Sequence, residues 1–181
     1  YGVASPLQWK SIYIDEVVSP NYRKSNAFQS GLGSMSAWLR IGEIEMKKLN
    51  IIEYNKDMFK QNLIKIQNLV RVQPDDYAIQ LQELCHSAGV ALIYTMCISK
   101  APISGAARWI GGNPLIQLTD RNKSNNHFWF TFFHEADHIL LHGKKNVFLD
   151  EYDLFDANID KEHQANDFAN KFLITDDFVK E

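Results

Sequence analysis

Within the apolar run Phe128–His142 of this 181-residue chain, two histidines enclose a glutamate as His134-Glu135-Ala136-Asp137-His138. Side chains four residues apart stack on one face of an α-helix, so His134 and His138 can direct two imidazole nitrogens at one ion about 2.0–2.1 Å from each. Zinc is the metal this pairing suggests. Glu135 follows His134 by about 100° of helical turn, which puts its carboxylate beside such an ion and free to take a proton from water held there. Glu135 is therefore the candidate general base. The rival reading is a core helix that happens to carry polar residues. It leaves two imidazoles and the carboxylates of Glu135 and Asp137 on a very apolar helix, where burial without partners is costly. A metal would supply a partner.

A zinc site that does chemistry takes three protein ligands and keeps a fourth position open. Three downstream residues compete for the third place. His142 repeats the four-residue spacing but sits about 6 Å further along the same helix, too far to turn back onto the ion. It suits the C-terminal end of the helix dipole better, with Gly143 as the cap. His163 stays open. Glu162 is preferred, because Lys161–Ile174 reads as a second helix entered through Asp160, with Ala165, Phe168, Ala169 and Phe172 at helical spacing. Asn166, one turn after Glu162, shares its face and can accept the second ring N–H of a ligand histidine. The alternative for Asn166 is a polar residue on a solvated face.

With both helices in view, His134–His142 followed by Glu162-His-Gln-Ala-Asn-Asp-Phe-Ala169 resembles the H-E-x-x-H and E-x-x-A-N-x-F-A pair of the ImmA/IrrE metallopeptidases. Ile103–Ile110 and Asn113–Thr119 are similar to that family's glycine-containing strand and the strand leading into its zinc helix. The resemblance runs from about Leu84 to the C-terminus. It implies a gluzincin-type zinc endopeptidase with His134, His138 and Glu162 as ligands to Zn2+, Glu135 as base, and Asn166 accepting from His134. It implies a protein substrate, in the family typically a helix-turn-helix repressor. It also implies that Ala106–Ile110 lies at the sheet edge over the cleft, with Ala106 and Arg108 binding substrate and Gly105 allowing a bulge at the strand's start. Asp137 departs from the family, which commonly has glycine there, and would add a carboxylate near the cleft. More weakly, Gly2–Pro6 and Gly33–Glu43 resemble the segment that follows the DNA-binding domain in two-part, antitoxin-like regulators. That DNA-binding domain would lie before Tyr1.

No spacing singles out a residue to stabilise an oxyanion; Tyr94, Arg108, His127, Tyr152 and His163 are all chemically able. A second class of function, a regulatory or antitoxin-like module that keeps the peptidase fold to bind a partner, contradicts no residue. An intact Glu135 favours the enzyme, because a structural zinc site has no use for a base.

With 45% hydrophobic and 23% charged residues, the chain fits one domain, or one domain with a helical appendage. A net charge of −3 without a dense Lys/Arg stripe argues against nucleic-acid binding by this chain. Cys85 and Cys97 lack zinc-like spacing and read as reduced thiols of a cytoplasmic protein, a single disulfide between them being the minor option. No apolar run approaches a membrane span, and no signal peptide opens the chain. The start at Tyr1 without methionine and the stop soon after Phe178 suggest a piece of a longer protein.

The elements that must position these residues read as an α+β fold: a small, mostly antiparallel three-stranded sheet packed on the H-E-x-x-H helix and further helices. A helical N-terminal region, 1–71, precedes a peptidase-like region, 72–181. Pro6–Val17 carries Trp9, Ile12 and Tyr13 at helical spacing. Ser34 or Ser36 caps a helix to about Leu49, which Gly42 weakens. Asn55 or Asp57 begins a third helix to about Val70, striped by Phe59, Leu63 and Ile66. A fourth spans about Asp75–Ala88, ended by Gly89. Val90–Met96 reads as a strand, and Ala106–Ile110 and Leu115–Thr119 as a hairpin around Gly111-Gly112-Asn113. Asn122–Asn126 offers several N-caps for the zinc helix. Gly143–Asp156 mixes acids and aromatics without a period and reads as a lid. Its Asp150, Glu151, Asp153 and Asp156 are more simply solvated than ligands of a second metal.

Overall fold

The strands β1 (Ala91–Thr95), β2 (Gly105–Ile110) and β3 (Asn113–Thr119) bury residues on both faces, so helices must cover the sheet twice. The computed structural model describes residues 3–12, 26–101, 103–119, 124–141, 148–149 and 159–173, with backbone alone for 26–30, 32, 148, 149, 159 and 162. Along the described chain, α1 (Pro6–Lys10), α2 (Asn26–Lys48), α3 (Lys56–Val72) and α4 (Tyr77–Ser87) precede β1. After β3 come α5 (Asn125–Leu141), β4 (Phe148–Leu149) and α6 (Ile159–Leu173). The fold is α+β, and the sheet order is β1-β3-β2-β4.

The hairpin forms as its glycines require. Gly111 and Gly112 have φ of 59° and 102°, the left-handed conformations a two-residue turn between Ile110 and Asn113 needs. β1 then joins β3 in parallel, which makes the sheet mixed, and β4 pairs antiparallel with the far side of β2. This two-residue strand was not expected from sequence.

Alternation sends successive side chains to opposite faces. On one face Leu92, Ala107, Ile116 and Leu118 meet Trp129, Phe132, Phe133 and Ala136 of α5. Phe59, Leu63 and Ile66 of α3, Leu81 and Cys85 of α4 and Ala169 of α6 join the same cluster. This cluster draws on both the N-terminal helical region, through Phe59, Leu63 and Ile66, and the region that follows it. On the other face α2 covers the sheet, with Met46 against Ala91, Ile93 and Leu115, and Met35, Trp38 and Leu39 against Ile103 and Ala106.

A buried polar network fixes α2 in place. The Arg108 guanidinium, 3% exposed, donates from Nη1 to Glu43 Oε1 (3.0 Å) and from Nη2 to Leu39 O (2.8 Å) and Gln117 Oε1 (3.0 Å). Gln117 Nε2 donates in turn to Trp38 O (2.7 Å) and Thr95 Oγ1 (3.0 Å). Gly42 lies where this amide meets the helix, and any Cβ there would overlap Gln117. The glycine that weakens α2 as an isolated helix is what lets it reach the sheet. With those tertiary contacts α2 starts at Asn26, well before Ser34.

Elsewhere the local signals operate much as their chemistry dictates. Ser5 accepts from Gln8 N at the start of α1, whose expected extension over Tyr13–Val17 lies outside the described residues. Asn55 caps α3 by accepting from Met58 N at 2.9 Å. Gly89 follows α4 with φ of 76°. Cys85 and Cys97 are free thiols, the first buried with its thiol pushed up by desolvation, the second exposed. No helix among the described residues is long and apolar enough to cross a membrane.

Gly42→Ala tests the network. In an ordinary helix interior alanine is favoured by roughly 1 kcal/mol. Here the added methyl should instead destabilise the fold by about 1–3 kcal/mol through overpacking, read as a lower thermal midpoint. A raised midpoint would show that Gln117 does not need that space.

Candidate metal centre

α5 is buried on nearly every side, between the sheet and α6. Ser124 caps it, its Oγ accepting from His127 N at 3.3 Å, and every residue from Thr131 to Leu140 is buried. Helix α6 approaches closely because its contact residues Ala165 and Ala169 are small and fully buried. Phe172 stacks on Phe133 with ring centroids 4.7 Å apart. Four ionisable residues, His134, Glu135, Asp137 and His138, are therefore buried in the interior. Asp137, where the resemblance had suggested a carboxylate near the cleft, is 0% exposed.

His134 Nδ1 lies 3.0 Å from Asn166 Oδ1. An amide oxygen only accepts, so Nδ1 carries the proton, and in the neutral ring Nε2 presents a lone pair. That lone pair faces His138: the two Nε2 atoms are 3.0 Å apart, with the rings nearly perpendicular at 79°. Two imidazole nitrogens so placed are within reach of one ion at the usual 2.0–2.1 Å. The donor set, its burial and the outer hydrogen bond on His134 fit a zinc-type divalent ion.

The structure brings His134, His138 and Asn166 together. Glu162 belongs to α6 one turn before Asn166, but its side chain lies outside the described residues, as do His142 and Gly143. His163 is exposed on α6. Among the described residues no three His, Cys, Asp or Glu side chains gather as a metal site. The four acids of the proposed lid, Asp150, Glu151, Asp153 and Asp156, also lie outside.

Glu135 lies against the backbone of β2. A Cβ built on Gly105 would come 2.8 Å from Glu135 Oε1, 3.0 Å from its Cγ and 2.5 Å from Thr131 Cγ2. Gly105 makes no bulge against β3, since the register runs without interruption from Gly105↔Leu118 to Ile110↔Asn113. Gly105 instead permits a close approach of strand to helix. A glycine inside a strand pattern is the signal that points to such contacts.

One expectation about β2 is corrected. It is not an edge strand, because Ala106 pairs with Leu149 and Ala107 with Phe148 of β4. The side chains of Ala106 and Arg108 do not face the base. By strand alternation both point to α2, Ala106 packing on its apolar residues and Arg108 entering the Glu43–Gln117 network. That also removes Arg108 as an oxyanion donor. Tyr94 turns away, its hydroxyl donating to Ala78 O at 3.3 Å, and Tyr152 lies outside the described residues. His127 shares the helical face of Thr131 and His134 and sits 3.2 Å from Ser104 Oγ. Eight residues separate it from Glu135, about 12 Å along the helix, too far to meet the same reacting carbonyl.

Comparison with protein families matches residues 88–181, just over half of the chain, to the IrrE N-terminal-like domain, a peptidase family. No curated protein and no solved structure matches the chain.

Asn166→Ala should lower zinc affinity about 10–100-fold, measured by competition with a chromogenic chelator, while the circular dichroism spectrum stays unchanged. Undiminished affinity would mean that the 3.0 Å contact does not tune His134.

Proposed function

Because the chain belongs to the IrrE N-terminal-like peptidase family, we propose that it is a zinc-dependent endopeptidase with Glu135 as general base. The observation that carries this reading is the convergence of His134 Nε2 and His138 Nε2 at 3.0 Å, in a buried site that also holds Glu135 against β2. A zinc ion held by His134 and His138, with Glu162 as third ligand, would supply the Lewis acidity that polarises a scissile carbonyl and acidifies water.

The chain's own groups do the rest. Asn166 holds the proton of His134 on Nδ1, so the ring offers Nε2 as a ligand atom throughout the cycle. Glu135 removes a proton from the attacking water and later delivers it to the leaving amine. The helix and strand that enclose Glu135 keep bulk water from its carboxylate, where charge interactions are stronger than in solvent. A helix-turn-helix repressor is the proposed protein substrate, in keeping with the likeness of Gly33–Glu43 to the segment that follows such a domain. A reducing, cytoplasmic setting is in keeping with the free thiols Cys85 and Cys97. The rival reading, a module that only binds a partner, gives Glu135 no task.

Glu135→Gln separates the two. The variant should still bind one zinc while cleavage of an internally quenched peptide library falls by about 10²–10⁴-fold, the range for a lost general base. A rate equal to the unmodified protein's would remove Glu135 from the chemistry.

A further inference from the structure

Resting on the peptidase reading, we infer that β4 is an internal occupant of the substrate lane, holding the active site shut until a longer extended segment displaces it. The geometry begins at Gly105, whose backbone touches Glu135. A carboxylate fixed there reaches a peptide running directly beside β2. Neighbouring strands lie about 4.7–4.9 Å apart, so a peptide added outside β4 would stand roughly 9.5 Å from β2, beyond that reach. One side of β2 is taken by β3 over its whole length, Gly105 to Ile110. The other is the lane, and Phe148–Leu149 pairs there, opposite Ala107 and Ala106. The pairing is antiparallel, an orientation in which an extended peptide can extend a sheet by strand addition.

The occupant is built to be displaced. Two paired residues make a marginal strand by themselves. Their hold comes from the tether, since β4 lies on the connection between α5, which carries both histidines, and α6, which carries Asn166. A tethered strand competes at an effective concentration that can reach the millimolar range, enough to exclude short peptides that pair over the same two positions. A segment pairing over more of Gly105–Ile110 gains roughly fivefold per additional backbone hydrogen bond and wins. The substrate class is then a long, exposed, extended stretch of polypeptide, and di- and tripeptides are excluded.

The test uses the zinc-loaded protein with Phe148→Pro and Leu149→Pro made singly. Ladder-bonded and outward-facing N–H groups alternate along an antiparallel pair, so one proline removes a donor to β2 and the other does not. One variant should cleave an internally quenched decapeptide library with a KM about five- to thirtyfold lower and an unchanged kcat. A lock provides the converse: Ala106→Cys with Leu149→Cys, in a Cys97→Ser background, should lose cleavage when oxidised and regain it on reduction.

Binding is read separately on Glu135→Gln proteins, with a labelled peptide copying residues 144–153. Its affinity should rise in the same proline variant and vanish in the oxidised lock. Equal affinity in every variant, or an oxidised lock that binds and cleaves normally, overturns the inference while leaving the peptidase reading intact. Tighter binding in the one variant with cleavage in none upholds β4 as occupant and removes the peptidase reading instead.

Discussion

The hydrogen bond between His134 Nδ1 and Asn166 Oδ1, 3.0 Å long and made between two helices, decides which nitrogen of the histidine carries the proton. With Nδ1 protonated, Nε2 of the neutral ring offers its lone pair, and it lies 3.0 Å from Nε2 of His138. The constraint reaches outward from there. Asn166 can stand at that distance only if α6 lies close on α5, which requires the alanines at 165 and 169 and the aromatic stack of Phe133 on Phe172. A bulky residue at either alanine would separate the helices and release the ring.

The second demand is that the base be held on one side by backbone rather than by a side chain. Gly105 answers it, by letting β2 rest on Glu135 and Thr131. A strand pressed onto a helix on one face must be supported on the other, and here the support is α2. Its attachment is polar at the centre, through Arg108, Glu43 and Gln117, and apolar at either side. Removing one partner of such a buried set leaves an uncompensated group behind, which is why it fixes the position of α2 as well as stabilising it. Gly42 and Gly105 thus serve one arrangement, each admitting an approach that a methyl group would prevent.

Much of this was legible in the residues because it is local. The histidine spacing, the second helix that carries Asn166, the stripe of Phe59, Leu63 and Ile66 and the turn at Gly111-Gly112 all depend on neighbours within a turn or two, where periodicity is informative. What was misread depends on partners far along the chain. Arg108 looked available to substrate because nothing near it in sequence announces Glu43, sixty-five residues earlier. Gly42 looked like a weakness because Gln117 is equally remote. The strand β4 is too short to show alternation, so the edge assigned to β2 was one strand too early. β1 gave a strand signal but no hint of direction, since parallel pairing with β3 is set by the connection between them.

Zinc binding in this fold requires above all that His134 and His138 share one ion. Native mass spectrometry of the protein after addition of one equivalent of zinc measures this directly, beside a His134→Ala, His138→Ala double variant shown to be folded by circular dichroism. One zinc should be retained by the unmodified chain and none by the variant. Equal retention by both, or no retention by the unmodified chain, would contradict it.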